Sequence, residues 1–173
     1  MDKKEDKKGI GGFLILVAFS VVISPIRLII SVIPVYFPIL SDGTWQILTT
    51  PGTEYFHPLW GPLLIFEIIF NLAQILVLFY IAYLFFSKDH LFPKFYIGIT
   101  LITIVFIPLD AWLVKIILPD LPMFDDATLG NFIAAVLSGL IWIPVMLLSK
   151  RVKETFVNNQ PVREQIEIQE FSL

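Results

Sequence analysis

The sequence predicts an all-α membrane protein: a four-transmembrane-helix antiparallel bundle, N-in and C-in, with an aromatic-rich outer connector. Three observations predict it. Hydrophobic residues fill 57% of the 173 positions and charged residues only 16%, against about 25% charged in a soluble domain. The apolar residues are gathered into four long blocks, and roughly 20 such residues let a helix cross a bilayer core. The Lys and Arg residues outside those blocks are confined to alternate flanking segments.

Each element follows in order. Residues 1–9 read as a polar, mixed-charge cytoplasmic tail, MDKKEDKK and then Gly9. The first apolar block runs from about 10 to 33, interrupted only by Arg27. It is too long for the apolar part of a cleaved signal peptide, and no small-x-small site follows it, so an uncleaved helix is expected. The stretch 34–58 reads as a connector rich in Pro, Thr, Gly and aromatic residues, among them Tyr36, Trp45 and Tyr55. Trp and Tyr favour the headgroup level. The connector is therefore expected to cap the outer surface, with Trp45, His57 and Trp60 as candidate cap residues and a short interfacial helix over 42–48. The second block, 59–86, holds Glu67 as its one charge. The third, 95–118, holds Asp110 and Lys115, and the fourth, 127–149, holds none. Pro25, Pro108 and Pro144 fall inside blocks, where membrane helices accept them as kinks. The connectors 87–94 and 119–126 are short, which favours antiparallel neighbours. The bundle and its basic flank fill 10–153. Residues 154–173 read as a polar, flexible cytoplasmic tail, with a partner-binding strand over 165–171 as the alternative. Barrel strands would alternate in polarity over about ten residues, and no segment within the blocks does so.

Charge sorting sets the orientation. Lys3, Lys4, Lys7 and Lys8 precede the first block, Lys88 and Lys94 lie between the second and third, and Lys150, Arg151, Lys153 and Arg163 follow the fourth. The segments 34–58 and 119–126 hold no Lys or Arg and carry Asp42, Glu54, Asp120, Asp125 and Asp126 instead. Basic residues accumulate on the cytoplasmic side, so both termini are expected there. Lys150, Arg151 and Lys153 are expected to anchor on anionic headgroups.

Polar residues inside the blocks repeat at helical spacing. Ser20, Ser24, Arg27 and Ser31 form one stripe; Glu67, Asn71 and Gln74 form a second; Thr100, Thr103 and Asp110 form a third. Asn131, Ala135, Ser138 and Gly139 make a small or polar stripe suited to close helix packing. At 1.5 Å per residue, Arg27 is expected about 9 Å from the outer end of its helix, and Glu67 and Asp110 about 12 Å from theirs. An ionisable residue in a span usually faces the interior and finds a partner. The expected site is thus a cluster of Arg27, Glu67, Asn71 and Asp110 in the outer half of the bilayer, with Lys115 nearer the surface. It could fix helix register, bind a polar ligand, ion or lipid headgroup, or serve as an acid/base pair.

Other chemistry is excluded or unsupported. With no cysteine there is no disulfide, thiolate catalysis or iron–sulfur ligation. His57 and His90 fall on opposite sides of the membrane and cannot share a metal. HExxH, GxSxG and phosphate-loop patterns are missing. No cofactor, metal, catalytic residue or nucleic-acid partner is expected; the lipid bilayer, another membrane protein or a polar ligand is.

Three strings carry a family resemblance: GIGGFLIL with SPIRL, YFHPLWGPLLIFEIIFN, and IWIPVMLLSKRVKETFV. Reaching from Gly9 to Val157, they resemble a bacterial family of inner-membrane proteins, domain of unknown function 2569. The chain departs from that pattern at Val145, where Tyr is common, and near Asn131, where a basic residue is common. The resemblance implies a four-helix bacterial inner-membrane protein and no assigned activity. Arg27, His57, Trp60, Glu67 and Asn71 fall inside its strings. The expected role is a non-enzymatic assembly, accessory or scaffold protein, with a small carrier or binder of a polar or amphipathic ligand as the alternative and a membrane acid/base enzyme as the third.

Overall fold

The structure is a computed structural model that describes residues 10–159. The predicted tail 1–9 and the segment 160–173, with Arg163 and the alternating stretch 165–171, lie outside the described residues. The chain forms α1 (Phe13–Ser41), α2 (Thr44–Thr49), α3 (Trp60–Phe86), α4 (Phe92–Ile117), α5 (Asp126–Leu148) and α6 (Lys150–Thr155). Among the described residues there is no strand, only an isolated bridge between Asp89 and Asn158. Helices α1, α3, α4 and α5, with 29, 27, 26 and 23 residues, are long and apolar enough to cross a membrane.

Helix α1 corrects one expected boundary. It does not stop at 33 but runs through Pro34 and Pro38 to Ser41. Each proline removes one N–H donor, yet every residue left unwound in an apolar surrounding would strand both of its backbone groups, at several kcal/mol each. Continuing the helix costs less. Asp42 ends it, its N–H donating to the Pro38 carbonyl at 3.0 Å. Gly43 then takes a left-handed conformation, φ +88°, and turns the chain into α2. The Asp42 carboxylate, fully exposed, accepts from the Thr44 hydroxyl and N–H, which hold it below the usual carboxylate range. Helix α4 starts at Phe92, ahead of the expected 95, because Pro93 sits in its first turn, where a missing N–H costs nothing. Asp125 caps α5, accepting from the Thr128 N–H at 2.7 Å.

Packing runs in sequence, α1 on α3, α3 on α4 and α4 on α5, while α2 folds onto α1 and α3. Gly139 lets α5 approach α4 closely: a Cβ there would come within 2.8 Å of Ile104 and 3.5 Å of Thr100. The main buried cluster sits at the end where the described termini meet, joining Leu14, Val17 and Val21 of α1 to Ile81, Leu84 and Phe85 of α3. Phe85, Phe92 and Phe156 close it, Phe92 stacking on Phe156 at 4.5 Å and meeting Phe85 edge-on at 5.0 Å. Elsewhere the long helices expose their apolar side chains, from Phe19 and Ile30 in α1 to Leu140 in α5. Such a surface is too apolar for water and suits lipid.

The segment after α5 differs from the expected flexible tail. Val152, Thr155 and Phe156 are buried. The chain beyond them docks on the α3–α4 turn. The His90 N–H donates to the Asn158 carbonyl and the Asn158 N–H to the Lys88 carbonyl, each at 3.1 Å. The Asn158 side chain donates to the Ser87 carbonyl and that of Asn159 to Asp89, each at 2.7 Å. Burial alone raises the Asp89 carboxyl, but the Leu91 N–H, the Asn159 amide and neighbouring His90 outweigh it and hold it below the usual carboxylate range. A carboxyl lowered by folding adds stability that is complete above its unfolded value and lost as pH falls through the folded one. Asp89→Asn should therefore cost about 1 kcal/mol at pH 7. Thermal unfolding in detergent should show the gap between variant and wild type closing as pH falls through and below the usual carboxylate range.

Candidate functional site

The polar stripes of α3 and α4 meet in one antiparallel register. Glu67 faces Asp110, Phe70 stacks on Phe106 with centroids 3.6 Å apart, and the Gln74 amide donates to the Thr103 hydroxyl at 3.1 Å. Seven positions forward in α3 match seven positions back in α4. Where polar atoms meet in an apolar surrounding, each must find a partner or carry its desolvation cost, so these pairs fix the register more sharply than the aliphatic contacts around them.

The centre of the site is the half-buried carboxyl pair of Glu67 and Asp110, side by side and close enough to share a proton. No N–H or O–H among the described residues reaches the buried Asp110 Oδ1. Two carboxyls side by side in an apolar surrounding cannot both keep their charge cheaply, and one proton shared between them would supply the donor that the protein does not. On its other side Glu67 accepts from the Tyr36 hydroxyl at 2.7 Å. The Asn71 amide donates to the Glu67 carbonyl at 2.8 Å and, more weakly, to the Tyr36 oxygen at 3.4 Å. One connected set of bonds thus ties α1, α3 and α4 together.

Tyr36 is the residue that sequence reasoning missed. The apolar run does continue past Pro34 as Val35, Tyr36 and Phe37, and that continuity was the available signal. Once α1 is extended, the expected depth scale shifts. Tyr36 is level with Glu67, and Arg27 stands nine positions earlier in the same helix, about 14 Å further along at 1.5 Å per residue. Arg27 therefore does not join the cluster. It is exposed and has no hydrogen bond or ion pair among the described residues. Lys115 does not join it either: its ammonium donates to the carbonyls of Pro119 and Leu121, closing the C-terminal turn of α4.

The expected cap divides. His57 and Trp60 line a cavity of about 370 Å³ with Leu48, Glu54, Tyr55, Phe56, Ile117 and Leu118. Trp45 does not line it; it is half-buried in α2, its carbonyl accepting from the Thr49 hydroxyl. His57 Nδ1 accepts from the Leu59 N–H at 3.3 Å, and the Trp60 N–H donates to the His57 carbonyl at 3.0 Å, so this turn starts α3. A second cavity of about 190 Å³, among Leu59, Pro62, Leu63, Phe66, Leu113 and Ile117, is almost wholly apolar. Neither cavity reaches Glu67 or Asp110. Of the expected headgroup anchors, Lys150 and Lys153 are exposed. Arg151 instead lies over Gly12, where a Cβ would come within 3.1 Å of its guanidinium. No group of three metal-ligating side chains occurs among the described residues.

Comparison with known proteins gives a family. Residues 7–157 match the family described as Protein of unknown function (DUF2569). The chain belongs to that family. No curated protein matches it, and no solved structure does. In this DUF2569 protein, Glu67 and Asn71 meet with Tyr36 and Asp110, while Arg27, in the first of the strings that carried the resemblance, stands apart from them.

The proton between the carboxyls makes one variant discriminating. Asp110→Asn still offers Glu67 a donor and should stay within about 1 kcal/mol of wild type. Asp110→Leu leaves Glu67 without that partner and should cost about 1–3 kcal/mol. Thermal unfolding of both variants in one detergent checks the order.

Proposed function

We propose that this DUF2569 protein is a non-enzymatic accessory or scaffold protein of the bacterial inner membrane, a bundle with both termini cytoplasmic. The observation that carries this reading is how the site uses its polar groups. Tyr36, Glu67, Asn71 and Asp110 bond to one another across three helices, and neither cavity opens onto them. A site built for turnover keeps its acid and base within reach of a substrate; this one spends them on helix register. Polar networks of this kind are best attested as devices that specify one packing out of several. The segregation of Lys and Arg to one side of the four spans supports the orientation.

One observation favours a second reading, a binder of a polar or amphipathic ligand. The cavity of about 370 Å³ places Glu54 and His57 beside the aromatic rings of Tyr55, Phe56 and Trp60, a mixture suited to a headgroup or an amphipathic molecule. Binding there should be lost in Trp60→Ala with the fold intact, whereas a scaffold should be indifferent to that change.

The absence of native cysteine makes topology directly testable. In intact spheroplasts a membrane-impermeant maleimide should label Glu54→Cys and leave Lys94→Cys unlabelled, and inverted vesicles should reverse the pattern. Labelling of both positions from one side would overturn the orientation.

A further inference from the structure

Arg27 is a charge deep inside a span that has no hydrogen bond or ion pair among the described residues. It stands at the midpoint of α1, fourteen positions from Phe13 and fourteen from Ser41. The register set by Tyr36 on Glu67 at one end, and by Val21 among Ile81 and Leu84 at the other, puts it level with Leu76 of α3. Snorkelling rescues Lys and Arg near helix ends. Arg27 has no such end nearby, since half a hydrocarbon core is about 15 Å, so a headgroup phosphate is a poor counter-ion for it. Among the described residues the carboxylates inside the spans, away from their ends, are Glu67 and Asp110, and these lie against each other and Tyr36 well to one side of its level.

Its surroundings on α1 are polar and small. Ser24 and Ser31 lie a turn away on either side, their hydroxyls returned to backbone carbonyls of α1 itself. Ser20, at the core end of the stripe, lies beside Tyr96 of α4. Among the described residues α1 packs chiefly on α3 and α2, and Arg27 and Ser31 stay exposed. Small polar residues let another helix approach closely, and a cation at that depth of a bilayer calls for an anion.

We propose that the Ser24–Arg27–Ser31 face of α1 seats a transmembrane helix of another protein that presents an aspartate or glutamate near the middle of the bilayer. A second copy of this chain is a poor occupant. Placed side by side in the same orientation it brings no carboxylate to that depth, and across a two-fold axis it sets Arg27 against Arg27. The inference rests on the membrane-spanning scaffold reading and names the kind of partner such a scaffold holds.

The test uses the full-length protein in phosphatidylcholine–phosphatidylglycerol liposomes, carrying a donor dye on Lys94→Cys. The probe is a dye-labelled polyleucine transmembrane peptide with one central glutamate, beside a matched peptide with leucine there. The glutamate peptide should associate about tenfold more tightly, a difference of about 1.4 kcal/mol. Arg27→Leu should abolish that preference, and Arg27→Lys should keep most of it, while the unfolding temperature of Arg27→Leu stays level or rises. Equal association of the two peptides, or a preference that survives Arg27→Leu, overturns the proposal. So does a lower unfolding temperature for Arg27→Leu, which gives Arg27 a role inside its own chain. Loss on Arg27→Leu of energy transfer between copies assigns the face to a second copy, and loss of spin-labelled phosphatidylglycerol binding assigns it to lipid; either result overturns it as well. Arg27→Cys separates the two levels of the argument. Rapid labelling from water by an impermeant maleimide sinks the spanning reading itself; an unlabelled cysteine with no glutamate preference sinks only the partner helix.

Discussion

A phenol in α1 and a carboxyl in α3 meet at 2.7 Å, and the upper part of the structure depends on that meeting. Aliphatic contacts between lipid-facing helices discriminate weakly among registers, because lipid tails are as apolar as the side chains they replace. A hydroxyl and a carboxyl have no comparable substitute in hydrocarbon. They fix how far α1 is inserted relative to α3. The second bond from Glu67, to Asp110, then fixes α4 against the same point of α3. At the other end the aromatic cluster of Phe85, Phe92 and Phe156 does the corresponding work through close packing. The molecule is thus held by polar bonds at one end and by a packed apolar core at the other.

That division explains what could be read from the sequence. The four spans were legible because hydropathy and length act directly on a helix in a membrane, and the lower edges of α3 and α5 fall within a residue of the expected ones. The two larger boundary errors both fall at prolines. Pro93 delayed the expected start of α4, although the first turn of a helix has no use for that N–H. Pro34 ended the expected first helix early, although the chain on either side of it stays helical to Ser41. Side-chain pairing across α3 and α4 was legible in the stripes of Glu67 with Gln74 and of Thr103 with Asp110, because helical spacing alone puts each set on one face. The partner from α1 was not. Polarity drew attention to the stripe of Ser20, Ser24, Arg27 and Ser31, whereas the residue that reaches the cluster, Tyr36, lies on a different face and further along. A charge seemed the natural partner for two carboxyls; a neutral hydroxyl and a shared proton satisfy them with less charge to desolvate.

The consequence for function is a separation of roles along α1. Its Ser41 end is committed to the protein's own packing through Tyr36. Its middle, around Arg27, has no hydrogen bond or ion pair from that side chain among the described residues. Its Phe13 end returns to the packed core, where the docked residues Phe156, Asn158 and Asn159 link the segment after α5 to the α3–α4 turn. A scaffold has this character: rigid where it holds itself together, unsatisfied where it holds something else.

The central claim is that Tyr36 and Glu67 act as a pair that positions α1. A double-mutant cycle measures it most directly, with Tyr36→Phe, Glu67→Gln and the combined variant unfolded under one set of detergent conditions. The account predicts a coupling of about 0.6–1.7 kcal/mol, the range of measured hydrogen bonds between membrane helices. Single effects that simply add, leaving no coupling between the two positions, would contradict it.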